Sequence, residues 1–167
     1  PNKSACHQAI ILDPQSKVMD SASDAISKAD LVYLACPPAV REPYALAAAA
    51  AGKALFLEKP FGINLDDSAR LMAGLQAYNV PVAVNFTQAS GAALTDLLAA
   101  KERGEMGALL GVDIIVTYPA WPRQWQKGAD WLRFRAEGGM TREVISHFLF
   151  FTCLLYTSPS PRDAHES

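Results

Sequence analysis

Apolar positions along the chain fall into short unbroken runs, and between them lie stretches with helical periodicity. Ala9 to Leu12 is the first run and closes at Asp13-Pro14, as a strand followed by a turn. Ser23 or Asp24 is placed to cap a short helix through Ala29. Leu31 to Cys36 (LVYLAC) is apolar without alternation, which is how a strand buried on both faces reads, and Pro37-Pro38 ends it. Arg41 to Ala51 is Ala-rich and predicts a helix stopped at Gly52. Ala54 to Leu57 is the next buried strand. Asn64 caps a predicted helix over 65–78, with Asp66 and Asp67 in the first turn, where the helix dipole favours acids. Val82 to Phe86 reads as a further strand, and a helix follows from about Ala89 to Arg103, ending at Gly104.

Strands alternating with helices at this spacing predict an α/β fold built on a doubly wound parallel sheet with right-handed crossovers. Such sheets bind ligands beyond the carboxyl ends of their strands. Three segments stand there: Cys36-Pro37-Pro38, Glu58-Lys59-Pro60 and Asn85-Phe86. After Gly107 the pattern changes. Leu109 to Tyr118 is rich in β-branched residues and predicts an antiparallel strand. A polar stretch with Trp121, Trp125 and Trp131 follows, then a turn at Gly138-Gly139 and a helix from Thr141. These changes divide the chain into residues 1–86, a partial sheet domain, and 87–152, the start of a second, α+β domain.

With 50% hydrophobic and 19% charged residues, the composition is that of a globular protein rather than a disordered one. The net charge of -2, with Lys and Arg scattered, offers no basic face for nucleic acid. Cys6, Cys36 and Cys153 are far apart and form no CxxC or Cys/His cluster, so neither a metal site nor a disulfide framework is expected. That pattern fits a reducing cytoplasm. The most apolar stretch, Phe148 to Tyr156, is far shorter than the roughly 20 residues of a membrane span.

Two motifs narrow the chemistry. One is Ala35-Cys36-Pro37-Pro38, then Ala51-Gly52-Lys53, then a strand ending in Glu58-Lys59-Pro60. The other is Gly138-Gly139 leading into a helix with Glu143 four residues before His147. In both, and in their order, the stretch from Ala29 to Thr152 resembles the Gfo/Idh/MocA oxidoreductases. Their acid before the His is usually Asp; here it is Glu143, which leaves the role of the acid open. The resemblance implies NAD or NADP as cofactor, held along Cys36, Pro37 and Pro38, with Glu58 near the nicotinamide ribose, Asn85 close by and Lys59 adjoining. It implies hydride exchange with a hydroxyl or keto carbon of a sugar, polyol or cyclitol, and a homo-oligomeric parent enzyme. It also allows two other activities on this fold: a dinucleotide-binding regulatory protein, or a glycosidase that uses NAD transiently.

Within that chemistry a base must take the hydroxyl proton and a cation must stabilise the developing oxyanion. His147 suits the first role, because an ordinary imidazole titrates near working pH. Lys59 suits the second, and can also relay the proton. Glu143 shares a helix face with His147 and can orient a group or bind a substrate hydroxyl. Bland readings stand beside these: a surface lysine, a core histidine, a solvated glutamate and a Pro-Pro that only ends a strand. Asp13 is a weak candidate for a ribose acid. The tryptophans can stack on a sugar or simply pack in the core.

Two further features bear on the cofactor and on the end of the chain. No G-x-G-x-x-G occurs in the sequence, and that loop is what holds a pyrophosphate on a helix N-terminus. The polar opening at Pro1 reads as a start in mid-domain, and the 167-residue chain by itself is expected to be inactive. At the other end, Cys153 to Asp163 reads CLLYTSPSPRD and resembles one reading frame of a transposase-type sequencing-library adapter. On that reading residues 153–167 are a non-native tail and are kept out of fold reasoning.

Overall fold

The computed structural model describes residues 18–121, 123–124, 132, 134–136 and 139–157. The predicted strand at Ala9 to Leu12, the candidate Asp13, Cys6, Trp125, Trp131, Gly138 and the tail beyond Thr157 lie outside the described residues. The chain divides into two units, Pro1–Asn85 and Phe86–Ser167.

In the first unit, helix α1 (Ala22–Lys28) leads to strand β1 (Leu31–Leu34), helix α2 (Pro38–Ala50), strand β2 (Ala54–Glu58), helix α3 (Leu65–Gln76) and strand β3 (Val82–Asn85). The strands form one parallel sheet in the order β1-β2-β3. This is the α/β, Rossmann-type arrangement that the alternation predicts. Register pairs Val32 with Leu55, Leu34 with Leu57 and Leu57 with Val84. Side chains alternate across a strand, so Val32, Leu34, Leu55 and Leu57 share a face. On it pack Ala45, Ala48 and Ala49 of α2 and Leu71 and Leu75 of α3, which with Ile26 form the core. Tyr33, Phe56, Glu58 and Asn85 occupy the opposite face by the same alternation.

Caps set most boundaries. Ser21 caps α1, its hydroxyl accepting from the Asp24 N–H at 3.0 Å, so the cap lies two or three residues earlier than the expected Ser23 or Asp24. Helix α2 begins at Pro38, three residues before the expected Arg41. Proline at the first helical position loses nothing, because that N–H has no partner inside a helix. The chain reverses after α2 through Gly52 (φ 70°), with Gly52 N–H on the Ala49 carbonyl at 2.9 Å and Lys53 N–H on that of Ala48 at 3.0 Å.

The second unit holds helix α4 (Ala92–Glu102), a π-helical turn (Thr141–Ile145) and helix α5 (Ser146–Thr157). Helix α4 starts three residues later than predicted, because Ala89 and Ser90 form a turn on the Phe86 carbonyl. The expected antiparallel strand over Leu109 to Tyr118 does not form, and the segment has no regular structure. β-Branched residues favour a ladder but cannot make one alone, and no strand is found among the described residues of this unit. Helices α4 and α5 pack together, with Lys101 Nζ donating to the Leu155 carbonyl at 3.0 Å. Among the described residues no helix is long and apolar enough to cross a membrane.

Candidate active site

At the carboxyl end of the sheet the chain turns sharply after each strand. The turn after β2 carries Glu58, Lys59 and Pro60, with a cis Lys59-Pro60 bond. Glu58 ends β2 opposite Asn85 of β3, and its carboxylate gathers two donors: Asn85 Nδ2 at 2.7 Å and the Tyr33 hydroxyl, both on Oε1. Tyr33 leans on Phe56, ring centroids 5.3 Å apart. Partial burial, reinforced by the Glu58 carboxylate, pushes the Tyr33 phenol up to about 12. It therefore stays a neutral donor to a carboxylate. Lys59 is only 8% exposed, which removes the reading of it as a surface lysine.

Cys36, Pro37 and Pro38 make the turn after β1, and Pro38 also opens α2. Behind these turns lies a residue that sequence reasoning missed. Arg41 is 1% exposed, and its guanidinium donates to the carbonyls of Cys36 (2.8 Å), Glu58, Pro60 (2.5 Å) and Phe61 (3.4 Å). Burial pushes its pKa down, while the neighbouring Cys36, Glu58 and Tyr33 oppose that shift. A signal for it was present. Arg41, Ala45, Ala48 and Ala49 recur at the spacing of one helix face, so the buried stripe of α2 includes the arginine.

Two other predicted residues lie in the second unit. Glu143 sits in the π-helical turn and is 8% exposed, with Arg123 Nη2 at 3.9 Å. Arg123 in turn lies over the rings of Tyr118 and Trp121, 5.0 and 5.9 Å from their centroids. Trp121 is thus stacked within its own chain. His147 follows one turn after Glu143, half-buried at the start of α5, with Phe86 edge-on at 5.9 Å. Phe86 also stacks on Phe150 at 4.4 Å. The structure thus brings Glu58, Lys59, Asn85 and the Cys36 turn together at one sheet end, and Glu143 and His147 together on one helical segment.

Parallel strands whose carboxyl ends carry a Pro-Pro turn, a Glu-Lys-Pro turn and an Asn match a family described as an oxidoreductase family with an NAD-binding Rossmann fold, over residues 2–86. The chain belongs to this family. Solved structures agree on the fold. The WlbA dehydrogenase of Bordetella pertussis, in complex with NADH and UDP-GlcNAcA, superposes with a TM-score of 0.65 at 24% identity, over 84% of this chain and 41% of its own. An inositol dehydrogenase homolog from Azotobacter vinelandii, complexed with NAD+, gives 0.60 at 20% identity, over 80% of this chain and 37% of its own. The chain therefore spans less than half the length of these oxidoreductases. No curated protein matches the sequence significantly.

The polar groups at the strand ends fit the nicotinamide half of a dinucleotide. Both donors seen on Glu58 reach it through Oε1, so its other oxygen could take a ribose hydroxyl, and Lys59 follows it in the same turn. A pyrophosphate loop is absent from the sequence, so the fit concerns that half alone.

Proposed function

We propose that this chain is part of an oxidoreductase that transfers hydride between NAD or NADP and a hydroxyl or keto carbon of a sugar, polyol or cyclitol. The observation that carries the reading is the Glu58-Lys59-Pro60 turn, with its lysine buried and its glutamate held by Tyr33 and Asn85 at the end of the family's sheet. Two fold neighbours hold NADH with a sugar nucleotide, and NAD+, which supports the cofactor and the carbohydrate class. Residues 87–152 then form the opening of the substrate domain, in an enzyme of the cytoplasm that assembles from like subunits.

A bound dinucleotide supplies the hydride acceptor. Cys36, Pro37 and Pro38 would line its approach and Glu58 would accept from a ribose hydroxyl, while Asn85 fixes that carboxylate. Lys59 presents its ammonium to the substrate oxygen and stabilises negative charge as it develops. His147 takes the hydroxyl proton. Glu143, one turn earlier, orients a substrate hydroxyl.

The test is NADH or NADPH formation by the full-length protein across sugars, polyols and cyclitols. Substitution Lys59→Ala should cut kcat by about a hundredfold or more while dinucleotide still binds, and His147→Ala should cost about 10²–10⁴. Full turnover by either variant removes that residue from the mechanism. Absence of any redox turnover across the panel refutes the reading.

A further inference from the structure

Arg41 is an expensive residue to bury; beside the Cys36 side chain it bonds four further groups, and none of the four is a carboxylate. All are backbone carbonyls, and all lie in the two turns where strands β1 and β2 leave the sheet. Carbonyls at such turns have lost their ladder partners and need donors. One guanidinium supplies them for both turns. Its Nη2 holds Cys36, while Nη1 holds Glu58 and Pro60 and reaches Phe61 at the longer distance. The side chain is anchored in turn by α2, whose buried stripe it shares with Ala45 and Ala48.

We propose that Arg41 is a positioning residue for the active site, fixing the Glu58-Lys59-Pro60 turn against the Cys36 turn through their backbone carbonyls. The proposal rests on the reading that this turn carries the chemistry. At 1% exposure Arg41 is placed behind the turns rather than at a surface that a substrate or cofactor could reach. It acts by setting where the Lys59 amine and the Glu58 carboxylate stand, and displacements of the order of 1 Å cost catalysis about a hundredfold. The planar fork matters, because an ammonium is a point donor and cannot span both turns. Arginine here is a geometric requirement as well as a charge.

The experiment compares Arg41→Lys and Arg41→Met with the wild type in the full-length protein. Hydrogen exchange is followed in peptides covering 57–63 and 69–76, and kcat and KM are measured alongside. Exchange at Lys59, Phe61, Gly62 and Ile63 should rise about tenfold or more in Arg41→Lys while α3 keeps its protection. Turnover should fall by about a hundredfold, and KM for the dinucleotide should rise as Glu58 shifts. Arg41→Met should exaggerate the local effect; should it fail to fold, Arg41→Lys decides. Unchanged exchange over 59–63, or an equal rise through α3 and the strands, overturns the proposal, since the second outcome is that of a merely structural arginine. A wild type without redox turnover but with the local exchange pattern would refute the proposed activity and leave the positioning role standing.

Discussion

Glu58 organises its surroundings through one oxygen, and the two donors differ in how legible they were. Asn85 was found from its strand end. Tyr33 was not, because LVYLAC reads as an unbroken apolar run in which a phenol passes as filler. Its consequence is electrostatic. The folded state raises the phenol from 10.0 to about 12, so folding favours the neutral form. Tyr33 thus contributes stability fully below pH about 10, and loses it as pH rises through 10 toward 12. A tyrosinate absorbance titration should show one component ionising well above the rest, and Tyr33→Phe should delete it. Titration of every tyrosine near pH 10 would remove the Glu58 contact from solution. Gly62 is a second point of steric control, just past the Lys59 turn. A Cβ there would stand 2.6 Å from Ser68 Oγ and 2.8 Å from the Ser68 backbone nitrogen. The hydroxyl can rotate away and the nitrogen cannot, so Gly62→Ala should cost about 1–3 kcal/mol in a denaturant melt. A variant with wild-type stability would mean that α3 shifts freely.

Elements were legible where local chemistry ends them. Helix α3 announced itself through Asn64, whose side-chain oxygen accepts from the Asp67 N–H at 2.8 Å, with Asp66 and Asp67 on the positive end of the dipole. Replacing Asn64 by Ala should lower stability by about 1 kcal/mol, and Asn64→Asp should keep most of it; equal melts for all three would deny the cap any part. Helix α2 was misplaced for an equally local reason. Its first turn is carried by Pro38, which both ends the apolar run before it and serves as the first helical residue. That three-residue error hid Arg41, which stands at the predicted boundary but inside the actual helix. The segment from Leu109 to Tyr118 failed differently. Strand propensity is a statement about fit to a pleated surface, and the surface has to be supplied by other residues. The π-helical turn that carries Glu143 has no signature in composition, and spacing alone placed Glu143 and His147 on a common segment.

At the scale of the molecule, the alternation of strand and helix specified the parallel sheet, and the strand-end rule located the Glu-Lys-Pro turn within it. What the 167 residues do not contain is the glycine-rich turn that binds pyrophosphate. Dinucleotide affinity in such folds depends on backbone N–H groups at that helix N-terminus. The contacts proposed for Glu58, Lys59 and Asn85 would address only the nicotinamide half. The isolated 167-residue chain should therefore bind NADH with a Kd no tighter than about 1 mM, and show no turnover. A protein in which the same residues follow a strand and a G-x-G-x-x-G turn should bind in the micromolar range, about 4 kcal/mol tighter. Fluorescence titration of NADH against both chains decides the matter. Micromolar binding by the shorter chain would show that the strand ends alone retain the cofactor, and would move the main binding determinant from the phosphate loop to the turn that Arg41 holds.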